Sequence, residues 1–230
     1  VVTQQRNWIG RSEGAEFSMR IVHEDGTPVT DAEHPDGLEV RVFTTRPDTS
    51  FGMTFCVLAP EHPLVERIAT DDRRAEVEAF VRRARNTSEI DRLSTERPLH
   101  DRGCSTGAYA LNPFNGKPVP VYLADYVLAS YGTGAVMAVP GEDQRDWDFA
   151  TTFGLPIIET VARPDGWEGG AYSGDGIHVN SSVPGGLDLD GMDVPTAKEA
   201  AIEWLVEQGI GERKVNYRLR DWLLSRQRYW

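Results

Sequence analysis

Long apolar runs are missing from this 230-residue sequence. Nothing reaches the roughly eighteen consecutive apolar residues that a membrane-crossing helix requires, and no secretory leader opens the chain. Cysteine is scarce: Cys56 and Cys104 alone supply neither a disulfide framework nor a metal-ligand spacing. A reducing, cytoplasmic setting is therefore the simpler expectation. The five histidines (His23, His34, His62, His100, His178) are scattered among polar stretches without ligand spacing. Positive charge is also short. A formal net charge of −12 argues against a general nucleic-acid binder.

What charge there is falls unevenly. Residues 211–230 hold six cations against Glu212 and Asp221, a net of +4, which leaves −16 on the rest. A basic end on an acidic body suits a domain that touches a polyanion at one place, or it is a solvated tail. The ends carry apolar and aromatic residues (Trp8, Ile9, Trp222, Leu223, Tyr229, Trp230), and the chain starts at Val1. The expectation is a piece cut from a longer chain.

The rest reads as an α+β domain. β-Branched content and turn signals predict strands over 15–23, 38–45, 53–59, 105–111, 118–124, 134–139 and 155–162. Helical spacing predicts a helix over 61–85, broken near Asp71-Asp72. A second helix follows Pro140-Gly141 and closes at Gly154; a third runs from Asp193-Val194-Pro195 to Gly209. Residues 163–192 are Gly- and Asp-rich and read as a long loop. The expected architecture is β-rich and barrel-like, with helices around it.

Several motifs match catalytic patterns without the setting those patterns need. Gly10-Arg11-Ser12-Glu13-Gly14 fits the nucleophile elbow, but a strand follows where a helix is required. Gly132-Thr133-Gly134 lacks the third glycine of a dinucleotide fingerprint. Asp48-Thr49-Ser50 has no partner for an aspartic dyad. Two polar clusters remain: Thr44, Thr45, Arg46, Asp48 and Thr49 at a strand end, and Asp143 and Asp146 in the first turn of a helix. On the residues alone, the second is equally a pair of acids offsetting a helix dipole, and the first a set of turn-makers.

The stretches NWIGRSEG, TTRPDT, YGTGAVMAVPGEDQRDWDFA and RLRDWLLSRQRYW, in that order, resemble the editing domain inserted in bacterial leucyl-tRNA synthetase. The likeness runs from about residue 7 to residue 230. It implies one domain over 1–230 of the type shared by the class I valine, isoleucine and leucine synthetases, β-barrel-centred with peripheral helices. Residues of about 1–12 and 215–230 would then be linker strands to a synthetic core that holds the ATP and magnesium chemistry. For editing itself it implies no metal and no cofactor. The implied reaction is hydrolysis of the ester joining norvaline or isoleucine to the 3′-terminal adenosine of leucine tRNA. The implied partners are that tRNA end and the rest of the synthetase chain, with no membrane. A non-catalytic module that binds the tRNA 3′ end is the alternative.

The roles implied by the resemblance are specific. Asp146 holds the substrate ammonium, while Thr44 and Thr45 contact the ester region and orient water. Asp143 supports the site or its water, and Arg46 sits near the terminal nucleotide. Thr49 is a steric gate, and Leu128, Tyr131, Met137 and Val139 complete the pocket wall. Where relatives read His-Asp-Gln-Arg-Asp, this chain has Glu142 in place of the histidine. An aminoacyl ester is already activated, so orientation and electrostatic stabilisation of a water can supply the catalysis without a side-chain nucleophile. An anion at Glu142 is expected to disfavour a nearby phosphate.

Overall fold

The computed structural model describes residues 10–88, 91–92, 97–129 and 132–217. Seven strands form one sheet: β1 (Arg11–Val22), β2 (Glu39–Thr44), β3 (Phe55–Leu58), β4 (Gly103–Leu111), β5 (Pro118–Ala124), β6 (Ala135–Ala138) and β7 (Gly211–Tyr217). The order is β2-β1-β4-β5-β3-β6, with β7 added to β1. Only β3 and β5 run parallel; every other pair is antiparallel. β1 is the spine. It pairs with β7 over Arg11–Phe17, with β2 over Ala15–Arg20, and at Ile21 and Val22 it passes to β4.

The sheet is open by hydrogen bonding, yet it curls until its two end strands, β2 and β6, lie against each other. Right-handed twist accumulated over several strands brings the edges round in this way. The expected barrel is therefore a curled sheet with a seam, and the predicted polar clusters lie at that seam. Inside the curl, alternate residues of β1 and β2 (Phe17, Met19, Val40, Val42) meet Met53, Cys56 and Leu58 in the main core.

Among the described residues, four helices with complete bounds cover the sheet: α1 (Val65–Ile68), α2 (Arg74–Arg85), α3 (Gln144–Phe153) and α4 (Val194–Glu207). The predicted break near Asp71-Asp72 separates α1 from α2. α3 ends on Gly154 in the left-handed region (φ 67°), as an αL cap requires. Its outer-face packing is aromatic: Phe149 stacks on Phe55 at 5.0 Å and on Phe153 at 4.3 Å. A Cβ on Gly103 would stand 2.7 Å from both Phe149 and Phe153, so the helix seats this close only over a glycine. That seat fixes where the first turn of α3, with its acids, can point.

Two expectations are corrected. Residues 155–162 form no strand; they run beside Gly52 and Gly141 with one isolated bridge, Val161 to His178. Their amides at Thr160 and Val161 are satisfied by the Glu142 carboxylate in place of a ladder. β7 was not predicted because Gly-Glu-Arg-Lys-Val-Asn-Tyr is mostly polar; it is an outer strand whose side chains form surface ion pairs. The basic end, as far as it is described, is engaged in the same way. Arg213 pairs with Glu199 and Glu13, and Lys214 with Glu16 and Glu212. Arg218 and the cations beyond it, with Trp8, Ile9, Trp222, Leu223, Tyr229 and Trp230, lie outside the described residues.

Ser12 sits inside β1 opposite Asn216, so the elbow reading has no strand–turn–helix to stand on. The second glycine of that motif has another reason to be there. A Cβ on Gly14 would overlap the carbonyl oxygen of Thr44 and stand 2.8 Å from the Cα of Thr45. Gly14→Ala should therefore force β1 and β2 apart at the two threonines, lowering stability by about 1–3 kcal/mol. Urea unfolding together with amide shifts at Thr44 and Thr45 checks this; an unshifted pair of threonines would show that the strands do not press on position 14.

Candidate functional site

Three pieces of chain meet at the seam. β2 ends at Thr44 and leads, through Thr45 and Arg46, into a short 3-10 helix over Pro47–Gly52. β6 ends at Ala138, and Val139-Pro140-Gly141 carries the chain into α3. From the third side comes the stretch after β5, with Tyr126, Val127 and Leu128. Between them lies a cleft of about 740 Å³. Thr44, Thr45, Arg46 and Thr49 line one wall; Met137, Val139, Asp143 and Asp146 line another; Leu128 completes the third. Of the sequence-derived site residues, Tyr131 alone lies outside the described residues.

The acids of α3 are not equivalent. Asp143 is the N-cap, and its carboxylate accepts the amides of Arg145 at 2.9 Å and Asp146 at 3.2 Å. This is ordinary capping of orphan donors, and it leaves Asp143 exposed at the rim. Asp146 is buried, and its Oδ2 accepts the amide of Val139 at 2.8 Å. That bond ties the helix to the end of β6. Burial, and then the charge of Asp143, push the Asp146 carboxyl up to about 7. Perturbed acids of this kind cluster in functional clefts.

The threonine wall is built by local hydrogen bonds. Thr44 Oγ1 accepts the amide of Arg46 at 3.0 Å, and Thr49 Oγ1 donates to the carbonyl of Arg46 at 2.9 Å. With its hydroxyl turned back in this way, Thr49 keeps its methyl as the group left to offer elsewhere. The Arg46 guanidinium is gripped by Asp48, Nε to Oδ1 at 3.1 Å and Nη2 to Oδ2 at 2.8 Å. Asp48 is completely buried, and His178 Nε2 stands 3.2 Å from its Oδ2, off the hydrogen-bond direction. Burial works against the Asp48 charge, but His178 and Arg46 beside it outweigh that and hold its carboxyl below the usual range. His178, expected in a polar loop, is thus part of the core beneath Arg46.

Glu142 lines the cleft but is turned into the protein. Its Oε1 accepts the amides of Thr160 at 2.6 Å and Val161 at 3.2 Å, and its Oε2 is buried without a partner. Burial raises its pKa. Its visible work is to fasten residues 160–161 against the turn before α3, a task the sequence did not disclose.

Residues the sequence reading missed also line the cleft: Tyr126, Val127, Val136 and Arg145. Two guanidinium groups stand over the Tyr126 ring, Arg145 at 5.3 Å and Arg102 at 5.5 Å from its centroid. The available signal was adjacency: Tyr126-Val127 to Leu128, Val136 to Met137 and Arg145 to Asp146. No group of three His, Cys, Asp or Glu side chains among the described residues is arranged to hold a metal, and no described helix is long and apolar enough to cross a membrane.

Comparison with known proteins adds identity to geometry. Residues 6–206 match the family model described as leucyl-tRNA synthetase, editing domain. The chain is 52% identical over 233 residues to the leucine–tRNA ligase of Nocardioides sp., covering all of this chain and 26% of that protein. It is 50% identical over 246 residues to the leucine–tRNA ligase of Saccharopolyspora erythraea, covering all of this chain and 24% of that one. The chain thus spans about a quarter of the length of these relatives. In structure it is similar to the Agrobacterium radiobacter agnB2 LeuRS–tRNA–LeuAMS ternary complex, with TM-score 0.65 and 34% identity over 95% of this chain and 22% of that one.

The raised Asp146 pKa has a stability consequence with a definite sign. Between its unfolded value near 4 and its folded value of about 7, the folded protein holds a proton that the unfolded chain has released. Stability therefore falls as pH rises from about 4 to about 7, with a loss of about 2 kcal/mol at pH 5.5 that levels off near about 4 kcal/mol by pH 8. Asp146→Asn removes the cost while keeping an oxygen for the Val139 amide. Its gain in Tm over the parent should be larger at pH 8 than at pH 5.5. A gain that does not depend on pH would mean that Asp146 is ionised throughout.

Proposed function

Because the chain belongs to the leucyl-tRNA synthetase editing-domain family, we propose that its cleft hydrolyses the ester joining norvaline or isoleucine to the 3′-terminal adenosine of leucine tRNA and spares the leucyl ester. The observation that carries this reading is the meeting, in one cleft, of a buried carboxylate, two strand-end threonines and an anchored arginine, with no nucleophile of the Ser–His or Cys–His kind among them. An activated ester needs placement, charge complementarity and a held water more than it needs a nucleophile.

The roles are those that the family resemblance implies, and the shared cleft supports them. Asp146 receives the substrate ammonium, whose charge pulls the carboxyl back towards ionisation in a charge-assisted pair. Thr44 and Thr45 contact the ester and hold water, with Asp143 supporting from the rim. Arg46, fixed by Asp48, meets the terminal nucleotide. Leu128, Met137 and Val139 enclose the amino-acid side chain. Thr49 supplies the discrimination. A missing methylene is worth only about 1–3 kcal/mol, so size cannot reject leucine while admitting its isomer isoleucine. A methyl set against the γ-branch rejects leucine by clash. Charging of tRNA, with ATP and magnesium, would belong to sequence outside this chain.

The test avoids whole tRNA. The chain is titrated with the non-hydrolysable 2′-amide of norvaline on 2′-amino-2′-deoxyadenosine while amide NMR shifts are followed. Shifts should centre on Thr44 to Thr49 and Val136 to Asp146 and vanish in Asp146→Ala. Binding that survives Asp146→Ala would favour a plain tRNA-end module, and binding elsewhere would overturn the site. For the gate, Thr49→Ala should bring the leucine amide to within a few-fold of the norvaline amide, from a parent gap of about tenfold or more. A leucine amide still shut out of that variant removes Thr49 from the role.

A further inference from the structure

After β5 the chain runs through Asp125 into Tyr126, Val127 and Leu128, the last three of which line the cleft. No described ladder serves this stretch. Two of its carbonyls are instead taken by one side chain. Arg92 donates Nε to the carbonyl of Asp125 at 2.6 Å and Nη2 to that of Val127 at 3.0 Å. The far side of the same guanidinium faces Glu61, Nη1 to Oε1 at 2.7 Å and Nη2 to Oε2 at 3.3 Å. Arg92 is 5% exposed, so the clamp is dry. The buried Asp125 carboxylate is held separately, by Arg102 Nε at 3.0 Å and Arg97 Nη1 at 2.7 Å.

A buried arginine–carboxylate pair is often a structural tie, and by itself a weak source of stability. Position distinguishes this one. A backbone wall held by a ladder is set by many bonds; here the amides of Asp125 and Val127 donate to the carbonyls of Arg102 and Ala124, and the wall's own two carbonyls are set by one planar fork. Only arginine has donors spaced to span two carbonyls and a carboxylate together. We propose that Arg92 is a positioning residue for the cleft: by spanning the carbonyls of Asp125 and Val127 it sets how far Val127 and Leu128 stand into the cleft, and so which amino-acid side chain is accepted. The proposal rests on the editing reading above. Its leverage comes from the steepness of van der Waals contact, where a gap of under an ångström forfeits a quarter to a half of the attraction. The discrimination at stake is itself small, about 10–200-fold for a single methylene.

The test compares parent, Arg92→Lys and Glu61→Gln. Lysine keeps the charge but cannot span the two carbonyls. Glu61→Gln loosens the clamp from its partly exposed side and spares the core if the lysine variant fails to fold. Two quantities are read: the ratio of dissociation constants for the norvaline and leucine 2′-amides of 2′-amino-2′-deoxyadenosine, and the amide shifts of residues 125–128. The expected result is a ratio reduced about tenfold in Arg92→Lys and less in Glu61→Gln, with shift changes concentrated at 125–128 and far-UV circular dichroism unchanged. A parental ratio in folded variants overturns the proposal, whichever amide binds better. Equal weakening of both amides overturns it too, because that is what general loosening does. If the parent itself binds neither amide, the editing reading fails instead, and unmoved shifts at 125–128 would then dispose of the clamp as well.

Discussion

The bond from the Val139 amide to Asp146 Oδ2 is the constraint on which the site depends. It joins the end of the last sheet strand to the first turn of α3, across a place where the sheet has no further strand to bond. Without it, Val139 would leave a buried donor unpaired, at a cost of about 1–3 kcal/mol. With it, a carboxylate is drawn out of water into the base of a cleft and loses part of its preference for charge. The contact closes the fold locally, and burial at that place raises the carboxyl's pKa although the bond itself works against the rise. That group is held from the other side as well: Phe149, one helical turn along, is stacked into the outer face of the sheet and leaves α3 little freedom to withdraw.

The seam explains why function collects here. A fully closed ladder would pair β2 with β6 and leave no room between Thr44 and Val139. An open flat sheet would leave two edges exposed, which proteins avoid. The curled sheet takes a middle course: the edges meet, but side chains and turns fill the junction in place of backbone bonds. Each filling is a substitute for a ladder. Thr44 and Thr49 satisfy backbone groups of Arg46, Glu142 satisfies the amides of Thr160 and Val161, and Arg92 satisfies the carbonyls of Asp125 and Val127. Polar side chains thus gather around a cleft for reasons of folding before any reason of chemistry.

This is also where the sequence was and was not legible. Six strands and the helices could be read because they obey periods that one stretch of chain displays by itself: alternation in Leu38–Phe43, helical spacing before Asp71 and after Arg73, a proline at the start of α4 and a glycine after it. β7 escaped because an outer strand carrying ion pairs has no apolar alternation to show. Residues 155–162 misled because their β-branched content matched a strand while their hydrogen bonds went to a side chain fifteen or more positions away. The site residues were assembled only through the family resemblance. Nothing local to Thr44 or Asp146 announces that the two share a cleft, and Asp143 read alone is a helix cap, which the structure shows it also to be. Arg92 and His178 were illegible for the same reason: their partners are 33 and 130 positions away, Asp125 and Asp48.

The ionisation of Asp146 ties these levels together. Burial and the charge of Asp143 raise its pKa, so the folded protein gives up this proton less readily than a free aspartate does. Under the editing reading, an arriving ammonium has to draw that proton off. An α-amino group titrates near pH 8. On the same reading, pairing itself draws the acid's pKa down and the amine's up, so carboxylate facing ammonium persists on both sides of neutrality. Ionising a buried carboxylate costs part of what the pair returns. Preference among amino acids then comes from the walls, at Thr49 and the stretch clamped by Arg92, where side-chain bonds fix the backbone in place of a ladder.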